Sequence, residues 1–246
     1  MNKELIIEFQ KEHFDGSSCV VEGLTSEVKA ALGCDLDDEL VVALVGAPTG
    51  SHIKVGLKRQ WTDEEIPDGE EVPAGIVFVI ANDRYFDEPA EVVVFLDGLV
   101  NRIGIYLKLI VFKNNPGLKG IAGHMIHVMA EAAGKVPGSS RLKLWAAGGL
   151  LWEDMAPGLR WGGYVAWPKY GFDCVIPSPT RALFKHFPYY PAGLDACRLV
   201  SELIALDGGR DFWRFAGEGS YMNFDLSQGS KSRSTLDKFL QGWRSK

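Results

Sequence analysis

The chain has 246 residues, 46% of them hydrophobic and 24% charged, with a net charge of −6. That is an ordinary globular composition with room for a sizeable core, in one elaborated domain or two small ones. No apolar run approaches a membrane span, and the overall acidity gives no electrostatic ground for binding nucleic acid or membrane. Cys19, Cys34, Cys174 and Cys197 are scattered without metal-ligand spacing, the pattern of unpaired thiols in a reducing compartment. The first residues, M-N-K-E-L-I-I-E-F-Q-K-E-H, lack a signal core, so a cytoplasmic protein is expected.

Residues 1–37 read as a lead-in. Leu5, Ile6, Ile7 and Phe9 fit a short strand or helix, and Thr25 or Ser26 caps a helix running to Ala31, with Gly33 just past its end. Residues 39–46 (E-L-V-V-A-L-V-G) read as a strand and 53–57 as a shorter one. The acidic, proline-bearing stretch 60–73 reads as a solvated loop, or alternatively as a lid. Residues 75–81 and 91–96 are rich in β-branched residues and are expected to pair antiparallel.

The chain is organised around residues 102–133. Ile103, Ile105, Leu107, Leu109 and Val111 share one strand face, and Tyr106, Lys108, Ile110 and Phe112 the other, as in an interior strand. Asn114, Asn115, Pro116 and Gly117 break that strand. From Ile121 the period becomes helical, with Ile121, Met125, Val128, Met129 and Ala132 on one face. Gly117, Gly120 and Gly123 bracket the helix start, where outward N–H groups and the helix dipole favour an anion. His124, His127 and Glu131 recur at helical spacing, but no further ligand cluster accompanies them, so no metal is expected.

Residues 141–147 form the next strand, followed by an irregular segment and a short strand ending near Ile176. Beyond Pro177, residues 180–187 and 194–206 read as helices, the second stopped by Gly208 and Gly209. Ser234 caps a final helix carrying Leu236, Phe239 and Leu240. The expected organisation is a lead-in (1–37), a core (38–176) and a helical extension packed on it (177–246).

This order of strands, glycine turn and helix resembles the GNAT superfamily of Gcn-related N-acetyltransferases. G-L-K-G-I-A (117–122) matches the family's [QR]-x-x-G-x-[GA] loop at Gly120 and Ala122, with Gly117 where Gln or Arg is usual. W-P-K-Y-G-F-D (167–173) matches the segment N-x-x-A-x-x-x-Y-x-x-x-G-F at Gly171 and Phe172. Arg160 stands at the Asn position, Gly163 at the Ala and Trp167 at the Tyr. The two lie about 50 residues apart with a strand between. The segment is similar to one in phage and mobile-element relatives.

The resemblance implies an α/β fold, with a GNAT-like mixed central sheet flanked by helices and the helical C-terminal extension. It implies acetyl-CoA, or another acyl-CoA, as cofactor and acyl transfer to an amine acceptor, small or macromolecular. The pyrophosphate would lie on the backbone N–H groups of Leu118, Lys119, Gly120, Ile121 and Ala122, with Gly117 in the same cofactor-binding loop and the Lys119 side chain adding charge. The pantetheine would pass Phe112 and Lys113, and an oxyanion donor would lie near Val111. Trp167 cannot supply the proton that the family's tyrosine gives the leaving thiolate. Tyr164, three residues earlier, and Tyr170 are the candidate acids. Tyr106, Lys108, Trp145 and Trp167 are candidate acceptor-binding residues, and Tyr106, Lys108, Glu153 and Asp154 candidate bases. Two other readings stand beside this one. The first is a GNAT-like binding module without catalysis. The second is acylation of an amine on nucleic acid, supported by the basic end at Lys231, Arg233, Lys238, Arg244 and Lys246.

Overall fold

The computed structural model describes residues 3–32, 36–58, 74–97, 102–149 and 162–243. The acidic stretch 60–73, Gly33, Glu153, Asp154, Arg160, Arg244 and Lys246 lie outside them. Among the described residues seven strands form one mixed sheet in the order β1 to β7: β1 (Val20–Glu22), β2 (His52–Lys58), β3 (Gly75–Ala81), β4 (Ala90–Asp97), β5 (Arg102–Leu109), β6 (Ser139–Gly149) and β7 (Glu218–Asp225). The pair β1–β2 is parallel, and β2 to β5 are successively antiparallel, as expected for the β3–β4 pair. Among the described residues no helix is long and apolar enough to cross a membrane.

The chain divides into two compact units. The first comprises residues 1–142, 226–228 and 236–246, and the second residues 143–225 and 229–235. The division falls inside β6, not at residues 37 or 177.

The first unit holds α1 (Lys3–Phe14), α2 (Ser26–Leu32), α3 (Asp38–Leu44) and α4 (Ile121–Ala133). Thr25 caps α2, its Oγ1 accepting from Val28 N–H at 3.3 Å. Residues 39–46, expected as a strand, begin inside α3 instead. Asp37 accepts from Leu40 N–H at 2.7 Å, and this cap starts a helix whose Val41, Val42 and Leu44 are buried. A cap worth about 1 kcal/mol outweighs the mild helix disfavour of two valines. On α4, Ile121, Met125 and Met129 are buried, each stabilising by about 2 kcal/mol. Gly46 adopts φ +61° against the Met125 and Met129 side chains, where a Cβ would overlap both.

The second unit holds α5 (Gly163–Ala166), the 3-10 turn Trp167–Tyr170, α6 (Ser178–Phe184), α7 (Val200–Ala205) and α8 (Gly209–Ala216). Its core includes Phe172 on Phe224 at 5.5 Å and Phe184 on Phe212 at 5.1 Å between ring centroids. Three expectations are corrected here. The helix foreseen over 194–206 is broken, because the backbone at Arg198 turns out to accept from Ile176 N–H at 3.0 Å. The Glu202 carboxylate then restarts it by accepting from Arg198 and Leu199 N–H. In place of a strand near Ile176 there are isolated bridges, Asp173 to Asn223 and Val175 to Leu199. The extension is not purely helical either. Ser220, Met222 and Phe224 alternate inward along β7.

The last helix, α9 (Lys231–Gly242), contributes to both units. Its cap is Ser230, whose Oγ accepts from Arg233 N–H at 3.2 Å, not Ser234.

Candidate functional site

β5 carries Tyr106 and Lys108 on the face opposite Ile105 and Leu107. Tyr106 is buried, and Lys108 pairs with Glu91 at 3.0 Å. That ion pair occupies the ammonium which the sequence offered as a base. Past the end of β5 the chain stays paired for three more residues. Val111 C=O accepts from Asp87 N–H and Lys113 N–H donates to Tyr85 C=O, both at 2.9 Å, with Phe112 bridging Phe86 between them. In such a bridge the middle residue turns its polar groups to the opposite side. Phe112 N–H accordingly has no acceptor among the described residues. Phe112 N–H, next to Val111, is therefore a candidate oxyanion donor.

The glycine turn follows. Asn115 opens a 3-10 turn over Pro116–Leu118: its Oδ1 accepts from Gly117 N–H at 2.9 Å and its C=O from Leu118 N–H at 2.9 Å. Lys119 N–H donates to Pro116 C=O at 3.2 Å, and the Lys119 side chain is exposed. Two of the five backbone donors foreseen for pyrophosphate, and the N–H of Gly117 before them, are thus held by the turn itself. The other three, on Gly120, Ile121 and Ala122, have no acceptor among the described residues. They sit at the start of α4, where the helix dipole adds its positive end.

Gly120 has φ +91°, and its conformation answers to more than an anion. A Cβ there would come within 2.7 Å of Trp243 Cδ1, and Trp243 Nε1 donates to Lys119 C=O at 3.0 Å. Trp243 also meets Phe9 and His124 edge-on, each at 4.7 Å between ring centroids. His124 is fully buried, and among the described residues neither ring nitrogen has a hydrogen-bond partner. Burial first, then His127 and His13, drive its pKa down to about 4, so the ring is neutral near pH 7. Among the described residues no three His, Cys, Asp or Glu side chains form a metal-binding group.

In the second unit, Tyr164 on α5 is buried, and its hydroxyl donates to Arg214 C=O at 2.7 Å while Trp213 Nε1 donates to Tyr164 C=O at 2.9 Å. Burial raises its pKa, Glu218 raises it further and Arg214 opposes them. Its proton is committed to a backbone carbonyl, the arrangement of a packing anchor and not of a poised acid. Tyr170 is half-buried, edge-on to Trp167 at 5.9 Å, and burial raises its pKa too, keeping the phenol protonated. Gly171 closes the turn at φ +96°, where a Cβ would overlap Ser232 C=O. Trp167 packs on Phe172 at 5.5 Å.

Trp145 lies on β6, and the structure adds two neighbours that the sequence did not single out. Lys143 Nζ stands 5.0 Å over the Tyr221 ring, and that ring meets Trp145 at 4.8 Å. Alternation in R-L-K-L-W puts Lys143 and Trp145 on one strand face, but pattern alone does not say which face is covered. Compared with models of protein families, with curated proteins and with solved structures, the chain matches none.

Proposed function

We propose that this chain is an acyl-CoA-dependent N-acyltransferase of GNAT type, using acetyl-CoA or a related thioester. The observation that carries the reading is the trio of acceptor-less N–H groups on Gly120, Ile121 and Ala122 at the start of α4, directly after β5. They coincide with the loop residues that resemble the family's phosphate motif, so the donor set fits a pyrophosphate. Lys119 adds an exposed cation beside them. The cofactor supplies an activated acyl thioester. The chain's part is to hold the phosphates on the α4 donors and to offer Phe112 N–H to an acyl oxygen. By the family resemblance alone, Tyr170 would be the phenol that keeps a proton for the departing sulfur.

Titration of the protein with coenzyme A by calorimetry tests this directly. Ala122→Asp places a carboxylate in the first turn of α4, where it suits the dipole yet competes for the same donors and repels phosphate. Thermal stability should hold or rise while coenzyme A affinity drops by at least about tenfold. Absence of binding by the wild type, or unchanged binding by the variant, defeats the assignment. A GNAT-like module without catalysis is the second reading. The committed Tyr164 proton and Trp167 at the family's tyrosine position favour it, and coenzyme A binding without turnover of any amine would establish it.

A further inference from the structure

The second unit gathers three cations on one patch. Arg210 and Arg214 lie four residues apart on α8, so they share a side of that helix, about 6 Å apart along its axis. Phe212, Trp213 and Ala216 face the second core, and both arginines are exposed. Lys169 joins them from the 3-10 turn that continues α5. Two hydrogen bonds dock α5 on α8: the Tyr164 hydroxyl donates to Arg214 C=O at 2.7 Å, and Trp213 Nε1 donates to Tyr164 C=O at 2.9 Å. Partial desolvation first, then Arg210 and Arg214, lower the Lys169 pKa, and no carboxylate opposes them. Glu218, which follows α8, acts on Tyr164 and not on Lys169. Among the described residues none of the three cations has an ion-pair partner, and Asp211, the acid of α8, pairs with neither arginine.

Aromatic surface lies among these charges. Phe215, next to Arg214, is 68% exposed and meets no other ring among the described residues. Trp167 and Tyr170, in the same turn as Lys169, keep part of their surface exposed. The fold alone gains nothing from this arrangement. Like charges one helical turn apart repel, and a ring left in water forfeits its burial. An occupant with negative charges along its length and flat faces between them removes both costs. A single strand of nucleic acid has that chemistry, with phosphates for the cations and bases to stack on exposed rings. An open helix face suits a strand better than a small phosphate ester, which binds in an enclosing pocket. An anionic membrane fits less well, because the outer face of α8 offers Phe215 alone for insertion. The net charge of −6 is no obstacle to a local patch, since salt confines attraction to about 10 Å.

We propose that Lys169, Arg210, Arg214 and Phe215 form a binding site for single-stranded nucleic acid. The three cations take phosphates, and Phe215 takes a base. The site stands whether or not the chain binds coenzyme A.

The test follows the fluorescence anisotropy of a labelled oligothymidylate as the full chain is added, starting at about 50 mM salt. Binding should saturate, and the logarithm of the affinity should fall with the logarithm of salt at a slope of about −2, as three phosphate contacts on a single strand require. Arg210→Gln and Arg214→Gln should each weaken binding about threefold or more and flatten the slope by about 0.7. Phe215→Ala should weaken it at least about fivefold and leave the slope unchanged. Lys54→Gln removes an exposed charge from β2 in the first unit and should leave affinity within about twofold. Circular dichroism melts establish that each variant is folded, and Lys169→Gln replaces any arginine variant that is not. The site is overturned if the wild type shows no saturable binding at low salt, or if the folded variants bind as the wild type does. It is also overturned if thymidine monophosphate competes as well as the strand at equal phosphate concentration, or if phosphatidylserine vesicles retain the chain and oligothymidylate does not.

Discussion

His124 shows how much a single side chain can set. Its imidazole is held neutral between Phe9 and Trp243, with a pKa near 4 against an ordinary 6.5. Between those values the unfolded chain takes up a proton that the folded chain refuses. The contribution is therefore full above pH 6.5 and is lost as pH falls toward 4, at up to about 1.4 kcal/mol per pH unit. His13 is also lowered by burial and adds a slope of the same sign. Comparing the wild type with His124→Phe isolates the His124 share. From pH 7 to pH 5 the variant should lose about 2 kcal/mol less stability in urea unfolding, and parallel losses would refute the account. The two tyrosines separate in the same manner. Tyr164→Phe leaves Arg214 C=O without its donor and should cost about 1–2 kcal/mol of stability with little change in turnover. Tyr170→Phe should lower turnover by about a hundredfold with little change in coenzyme A affinity, and a silent Tyr170→Phe in an active enzyme would refute its role. The phenols are visible in the sequence. That the Tyr164 proton is engaged depends on a carbonyl fifty residues away.

At the scale of elements, local rules carried the reading where local physics decides. The strand–turn–helix from β5 to α4 begins and changes period where its residues say it should. The valine-rich segment at α3 reads as strand because β-branched residues dominate it, and only the Asp37 cap and a buried helical face reverse that preference. β7 is passed over because its alternation of Ser220, Met222 and Phe224 is short and mixed with polar residues. Gly120 is the instructive case. The sequence reads it as room for a phosphate, and three nearby donors agree, but the side of Gly120 where a Cβ would stand belongs to Trp243. The indole's bond to Lys119 C=O, across 124 positions, leaves no trace in a motif. The pairing makes a specific claim about coupling. Trp243→Ala should cost about 3–5 kcal/mol through the lost packing, and Gly120→Ala should destabilise through overlap and positive φ. Combined, they should destabilise by clearly less than their sum, since removing the indole relieves the overlap. Additivity in a urea double-mutant cycle would mean the two do not touch in solution.

For the whole molecule, the division inside β6 changes what a truncation does. Cutting after Ile176 removes β7, the strand next to β6 in the sheet order, together with α6 to α8, which hold Phe184, Phe212 and Trp213 in the second core. The shortened chain should aggregate through the uncovered strand edge and exposed aromatic surface. A soluble, monomeric 1–176 fragment in light scattering would show that β7 and the helices beyond Ile176 are dispensable for solubility. The boundary was not legible at Pro177 because a Pro-Ser-Pro turn looks the same within a unit as between two. The first unit returns to the chain after the second has been threaded, and this has a bearing on its birth. Phe9 and Trp243 flank the same imidazole, yet a ribosome adding about 5–20 residues per second releases them on the order of ten to fifty seconds apart. Through that interval the first helix can meet His124 and Tyr85 but not Trp243, and a nascent chain must keep the Phe9 side sheltered until the last helix arrives.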